Sequence, residues 1–178
     1  MNINFSIIMP NYNCKFLERA IKSVINQSYN NWELIVIDNF SINNPEKIIN
    51  NLNDKRISFF KFQNNNNIAR SRNFGIKHSQ YDWIAFLDAD DVWKKNKLLT
   101  VKKEIQNRSP DFLYHGMYYL PKKLGFIEKI IADKSKEVKK PIFDFLIKDG
   151  NGIANSSVVL KKDLLKKINY LSEDNSKF

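Results

Sequence analysis

The stretch FSIIMPNYNCKFLERAIKSVINQSYNNWELIVID, residues 5–38, decides the fold. FSIIM (5–9) is a short continuous apolar run, and ELIVI (33–37) is a second one. Runs of that length without alternation are strands buried on both faces. Between them, positions 14–28 place Phe16, Leu17, Ala20, Ile21, Val24 and Ile25 on one helical stripe, with Asn13 as the expected N-cap. Strand, amphipathic helix and strand in that order make a parallel crossover unit.

The same alternation continues. Pro45 opens a helix with Ile48, Ile49 and Leu52 turned inward, ISFFKF (57–62) is a third strand, and 68–79 is a helix. WIAFL (83–87) is a fourth strand, followed by a helix over about 94–107. The expected class is therefore α/β, a mostly parallel sheet flanked by helices. Beyond residue 110, 111–120 and 125–131 read as a strand pair and 141–150 as a short helix. GIANSSVVL (152–160) reads as a strand entering the KKDLLKKI segment.

In a parallel α/β sheet, ligands bind beyond the carboxyl ends of the strands. Here those ends carry PNYN (10–13), DNFS (38–41) and DADD (88–91). Three aspartates within four positions repel one another, and two carboxylates about 4 Å apart do so by roughly 4 kcal/mol at an effective dielectric near 20. A cation is the natural remedy, and hard oxygen ligands with room for water and phosphate suit Mn2+ or Mg2+. Capping of the following helix by Asp90 or Asp91 is the alternative, and it leaves Asp88 without a role.

Neither a G-x-x-x-x-G-K-[ST] loop nor a G-x-G-x-x-G turn follows the first strand, where Pro10 and Tyr12 stand instead, so a dehydrogenase is a poor fit. The net charge of +10 points toward anionic partners: nucleic acid, anionic lipid or phosphorylated substrates. Lysine-rich patches at 94–103, 122–140 and 161–167 read as solvated faces and turns. A nucleic-acid module ranks last, because the aromatics sit inside apolar runs and carboxylates hold the ligand edge. The single cysteine, Cys14, excludes an internal disulfide. With no basic leader or long apolar run at the N-terminus, the expected location is cytoplasmic.

Taken together, residues 5–38, ARSRNFGI (69–76) and WIAFLDADDVW (83–93) resemble the N-terminal half of the family 2 glycosyltransferases, whose fold is the Rossmann-like GT-A fold, and NSSVVLKKDLL (155–165) resembles that family's acceptor-side strand and helix. The resemblance implies a nucleotide-sugar-binding half over 1–110 and a partial acceptor-side region over 111–178 of one domain. It implies that Pro10 and Tyr12 line the base pocket, with the Tyr12 ring on uracil, and that Asp38 and Asn39 sit at the base edge. Arg72 and Asn73 would lie near the nucleotide, Asp88 would face the ribose and the metal waters, and Asp90 would bind the metal.

The family usually carries a second Asp where this chain has Asn39. Asn keeps a carbonyl acceptor and exchanges the charge for a donor. The implied reaction is inverting transfer from a UDP-linked sugar to a glycan or lipid-linked saccharide at the inner face of the membrane. The family's Glu-Asp base is expected beyond Phe178, Glu173 and Asp174 reading as a surface loop. A shortened, non-catalytic nucleotide-binding remnant is the second reading.

Overall fold

A computed structural model describes residues 2–116 and 153–174. Six strands form one sheet in the order β3-β2-β1-β4-β6-β5. They are β1 (Phe5–Asn11), β2 (Trp32–Asp38), β3 (Ile57–Lys61), β4 (Trp83–Phe86), β5 (Phe112–Leu113) and β6 (Val159–Lys161). The helices are α1 (Leu17–Ile25), α2 (Pro45–Leu52), α3 (Ile68–His78), α4 (Lys97–Arg108) and α5 (Lys162–Lys167).

The first four strands are parallel, with Phe5 opposite Trp32 and Trp83, and Asp38 opposite both Asn11 and Lys61. β6 runs antiparallel beside β4, and β5 antiparallel beside β6. The sheet is thus mixed at one edge and mostly parallel, as the apolar runs require.

Side chains alternate across the pleat. Phe5, Ile7 and Met9 face a core shared with Leu17, Ile21 and Val24 of α1 and with Leu98 and Val101 of α4. Ile8, Ile35 and Ile37 face the other side with Ile76 of α3 and Leu165 of α5. On that side α3 approaches so closely that a Cβ at Gly75 would lie 2.7 Å from Ile37 Cδ1 and 2.8 Å from Ile8 Cγ2. Glycine lets the helix seat on the sheet.

β1 continues through Pro10, which has no N–H for the ladder. Ile8 bonds toward β4, accepting from Leu87 N at 3.1 Å, and Asn11 bonds toward β2, accepting from Asn39 N at 2.9 Å. Alternation therefore turns Pro10 toward β4, whose pairing with β1 ends at Phe86. Proline is tolerated there because the neighbouring strand has stopped. The chain leaves β1 toward β2 on one side and has β4 on the other, so this gap is the switch point of the sheet.

Four expectations are corrected. Asn13 does not cap α1: it sits in the left-handed region at φ 48°, the helix begins at Leu17, and its Oδ1 accepts from Ile42 N at 2.8 Å instead. Phe16 falls off the buried stripe because it precedes the first helical turn, and it is exposed. Residues 152–160 are not one strand, since Asn155–Ser157 form a 3-10 turn closed by Ser157 N on Ala154 O at 2.9 Å, and β6 is short. In the 94–103 patch Lys97 is buried, its Nζ donating to Ser156 O at 2.7 Å and lying 3.7 Å from the centre of the Trp93 ring. The helix expected at 141–150 and the strand at 125–131 lie outside the described residues. β5 pairs with β6.

Candidate active site

The loops after β1, β2 and β4 meet at the carboxyl edge, and hydrogen bonds fix their relative placement. Asp38 ends β2 with no exposure to solvent. Its Oδ1 accepts from Asn11 Nδ2 at 2.7 Å and from Ser41 Oγ, and its Oδ2 accepts from Ser41 N at 2.9 Å. Ser41 Oγ in turn accepts from Asn13 N at 2.7 Å. A buried carboxylate needs such donors. The charge of Asp38 is therefore spent on joining the β1 and β2 loops, while Asn11 Oδ1 is buried with no partner.

Pro10 is buried beside this knot and Tyr12 stands out of it, 63% exposed. Asn39 Oδ1 accepts from Asn64 N at 3.1 Å, and Asn64 Nδ2 donates to Ser71 Oγ at 2.9 Å. This ties the loop before α3 to the β2 loop. Asn67 caps α3, its Oδ1 accepting from Ala69 N and Arg70 N.

On the β4 side, Arg72 is buried and its Nη2 donates to Asp88 Oδ1 at 2.7 Å. Arg72 Nε is buried without a partner. Asp88 N donates to Ser156 Oγ at 2.9 Å, and Trp93 Nε1 donates to Ser156 O at 2.9 Å. Ser156 thereby clamps the DADD loop to the turn before β6. Neither Asp90 nor Asp91 caps a helix: α4 begins at Lys97 with Asn96 at the cap position. The capping alternative for the aspartates fails, because five residues lie between Asp90 and that cap and four between Asp91 and it.

Asn73 points elsewhere. Its Nδ2 donates to Leu171 O at 2.9 Å and Glu173 Oε1 at 2.8 Å, and its Oδ1 accepts from Leu171 N at 3.0 Å. Glu173 lies on the surface and is held there by α3, its backbone oxygen also accepting from Asn67 Nδ2 at 2.8 Å. The edge thus holds Asp38 and Asn39 in hydrogen-bonded loops with Pro10 and Tyr12 beside them, and on the β4 side it pairs Arg72 with Asp88 and leaves the Asp90 carboxylate exposed. Asn73 faces the 171–173 segment.

Sequence reasoning missed Asn11, Ser41, Asn64, Ser156 and Lys97. A buried Asn on β1 directly opposite Asp38 follows from strand register, so Asn11 was within reach once the strands were paired. Nothing local marks Ser156, whose partners lie 59 to 68 positions away.

The electrostatics of the DADD loop are those of crowded acids. Burial pushes the Asp91 carboxyl up, the Ser156 hydroxyl opposes that, Asp90 and Asp88 add to it, and Arg19 pulls it down. Burial drives the Lys97 ammonium well below its usual range, with Asp91 opposing. Because native Asp91 holds its proton more tightly than the unfolded chain does, stability falls as pH rises from about 4 through the raised native value. Asp91→Asn is expected to flatten that descent and to raise Tm slightly at neutral pH without metal, an advantage lost below about pH 4. Melting curves across the range measure it.

Among the described residues no three His, Cys, Asp or Glu side chains stand together as a ready-made metal cage. The donor chemistry nonetheless fits a magnesium-like ion. Such ions use one or two carboxylates and complete their shell with water and substrate phosphate. Asp88 engages Arg72 through Oδ1 alone, and the exposed Asp90 carboxylate has no side-chain partner among the described residues.

The family model described as Glycosyl transferase family 2 matches residues 6–168. The Escherichia coli enzyme UDP-Glc:alpha-D-GlcNAc-diphosphoundecaprenol beta-1,3-glucosyltransferase WfgD is 32% identical over 166 residues, which cover 93% of this chain and 63% of that protein. The chain therefore spans less than two thirds of that relative's length. Among solved structures, S. aureus TarS 1-349 in complex with UDP superposes with a TM-score of 0.76 at 20% identity, over 96% of this chain and 51% of that chain. The mannosyltransferase PcManGT from Pyrobaculum calidifontis, in complex with GDP-Man and Mn2+, gives 0.70 at 14%, over 96% and 48%. These likenesses carry the fold, which is GT-A. The parallel sheet with its switch point, the DADD loop after β4 and a family match over nearly the whole chain agree: this chain belongs to glycosyl transferase family 2.

Proposed function

We propose that the chain binds a UDP-sugar at the β1–β2–β4 edge and serves an inverting transfer of that sugar to a saccharide carried on a lipid diphosphate. The observation that carries this reading is the meeting of three loops, one with a buried Asp38 knot and one with the Asp88–Arg72 pair, at the switch point of the sheet. Tyr12, exposed beside Pro10, offers its ring face to a uracil base. The Asp38–Ser41 loop, rigid through its hydrogen bonds, forms the base edge together with Asn39. Arg72 holds Asp88 toward the ribose, and Arg72 and Asn73 belong to the helix flanking the nucleotide.

Asp90, with Asp88, would hold Mn2+ or Mg2+, and that ion when bound supplies positive charge for the leaving diphosphate. The chain's own contribution is positioning: a loop clamped by Ser156 keeps the carboxylates in place before substrate arrives. The acceptor class is suggested by the E. coli relative, whose name specifies a diphosphoundecaprenol-linked GlcNAc. No helix among the described residues is long and apolar enough to cross a membrane. Peripheral association at the inner membrane face accords with the net charge of +10.

The test is calorimetric titration of UDP with and without Mn2+. Binding that strengthens about tenfold or more with the metal is expected, since charge pairing at a partly desolvated site contributes on the order of 2 kcal/mol. Equal affinity with and without metal refutes the metal assignment, and no UDP binding in either buffer refutes the nucleotide assignment.

A further inference from the structure

The loops that frame the edge end in exposed apolar side chains. Ile42 is 92% exposed, Phe40 58%, Val92 45% and Phe16 39%. Hydrogen bonds from Ile42 N to Asn13 Oδ1 at 2.8 Å and from Arg19 Nη2 to Asp90 O at 2.9 Å tie together the segments that carry them, and Phe16 and Val92 line one groove. Phe40 also sits at φ 55°, a left-handed conformation that an aromatic residue adopts at a cost of about 1 kcal/mol or more. The backbone is thus strained at the point where an aromatic ring is presented to water.

The surroundings of Phe16 and Val92 are basic. A groove of about 600 Å3 between α1 and residues 92–95 is lined by Lys15, Arg19, Lys22 and Lys95 around Phe16 and Val92. Glu18 is the acidic exception, and Lys22 neutralises it at 2.6 Å. Isolated apolar tips on separate loops, with long cationic stems beside Phe16 and Val92, match an interface of headgroups and acyl chains better than a protein partner, which needs a contiguous packed face.

We propose that Phe16, Phe40, Ile42 and Val92 enter the headgroup layer of an anionic bilayer while Lys15 and Lys95 engage lipid phosphates, so that the nucleotide edge is held at the membrane surface. This rests on the reading of a lipid-linked acceptor and specifies which face meets the lipid.

The experiment is co-sedimentation of the full chain with vesicles of phosphatidylcholine alone and of an equimolar mixture with phosphatidylglycerol. UDP titration in Mn2+ and thermal melts are run on the same samples. Strong partition onto the anionic vesicles is expected. It should fall about tenfold in Ile42→Ser/Val92→Ser and about fivefold per lysine in Lys15→Gln/Lys95→Gln, with Tm and UDP affinity unchanged.

Partition that the substitutions leave intact, or none at all, overturns the surface assignment. So does a dimer, seen by light scattering, that the same substitutions dissolve. Vesicle binding without UDP binding leaves the surface standing and removes the nucleotide reading; UDP binding without vesicle binding does the reverse.

Discussion

Asp90→Ala is expected to weaken UDP binding in manganese buffer by about tenfold or more, on the order of 2 kcal/mol, which removes most of the metal's contribution, and to leave binding in metal-free buffer nearly unchanged. The substitution is a clean one. Asp90 is exposed, its backbone oxygen rather than its carboxylate receives Arg19, and its side chain has no partner among the described residues. Exposed positions of that kind alter stability by no more than about 0.5 kcal/mol. A loss of metal-dependent affinity at constant Tm would therefore report a ligand contact, whereas parallel losses in both buffers would mean that Asp90 shapes the loop.

Arg72→Ala should have the largest effect on the fold itself. The guanidinium is buried and pairs with Asp88 at 2.7 Å, and Asp88 is 30% exposed on its side chain. Breaking a buried pair by removing one partner costs about 3–5 kcal/mol, and the partial exposure of Asp88 sets the expectation at the lower end, about 3 kcal/mol. For a chain of this size that is a fall in Tm of about 6–12 °C. Arg72→Lys should restore little of it, since an ammonium lacks the planar fork. Adding Asp88→Ala should recover part of the loss, because the orphaned carboxylate disappears with it. A double-mutant cycle by urea denaturation measures that coupling, and strict additivity would show that the pair contributes only through its separate packing.

The two substitutions separate roles that look alike in a run of letters. Asp88, Asp90 and Asp91 are near neighbours in sequence, yet one is paired to an arginine, one is exposed, and one is pushed up by burial and by the other two.

The parallel frame was legible because a strand covered on both faces leaves a continuous apolar run, and β1, β2 and β4 each left one, whereas β3, at the sheet edge, is only half-covered. Asp38 and Asp88 were legible as paired groups because polar residues at the ends of such runs must find partners, while Asp90 is exposed and its metal role is a proposal. Asn13 was misread because an Asn before a helical stripe has two uses, capping and the left-handed turn, and only the Ser41–Ile42 loop decides between them. Lys97 was misread because a lysine-rich segment resembles a solvated face, while one lysine in it meets the Ser156 carbonyl and the Trp93 ring from a distant part of the chain. Ser156 carries no local signal at all, since its importance arises from where β6 brings it. The strand read over 152–160 failed for a related reason: the side chains of Asn-Ser-Ser favour local turns over a ladder.

A crystal structure with UDP and Mn2+ tests the central claim most directly, namely that the three loops at the carboxyl edge hold one nucleotide between them. The account predicts the uracil against the Tyr12 ring beside the Asp38–Ser41 loop, with the ion on Asp90 next to the diphosphate. UDP lodged instead in the groove beside α1 or against residues 168–174, with Asp88 and Asp90 contacting neither ion nor phosphate, would contradict it.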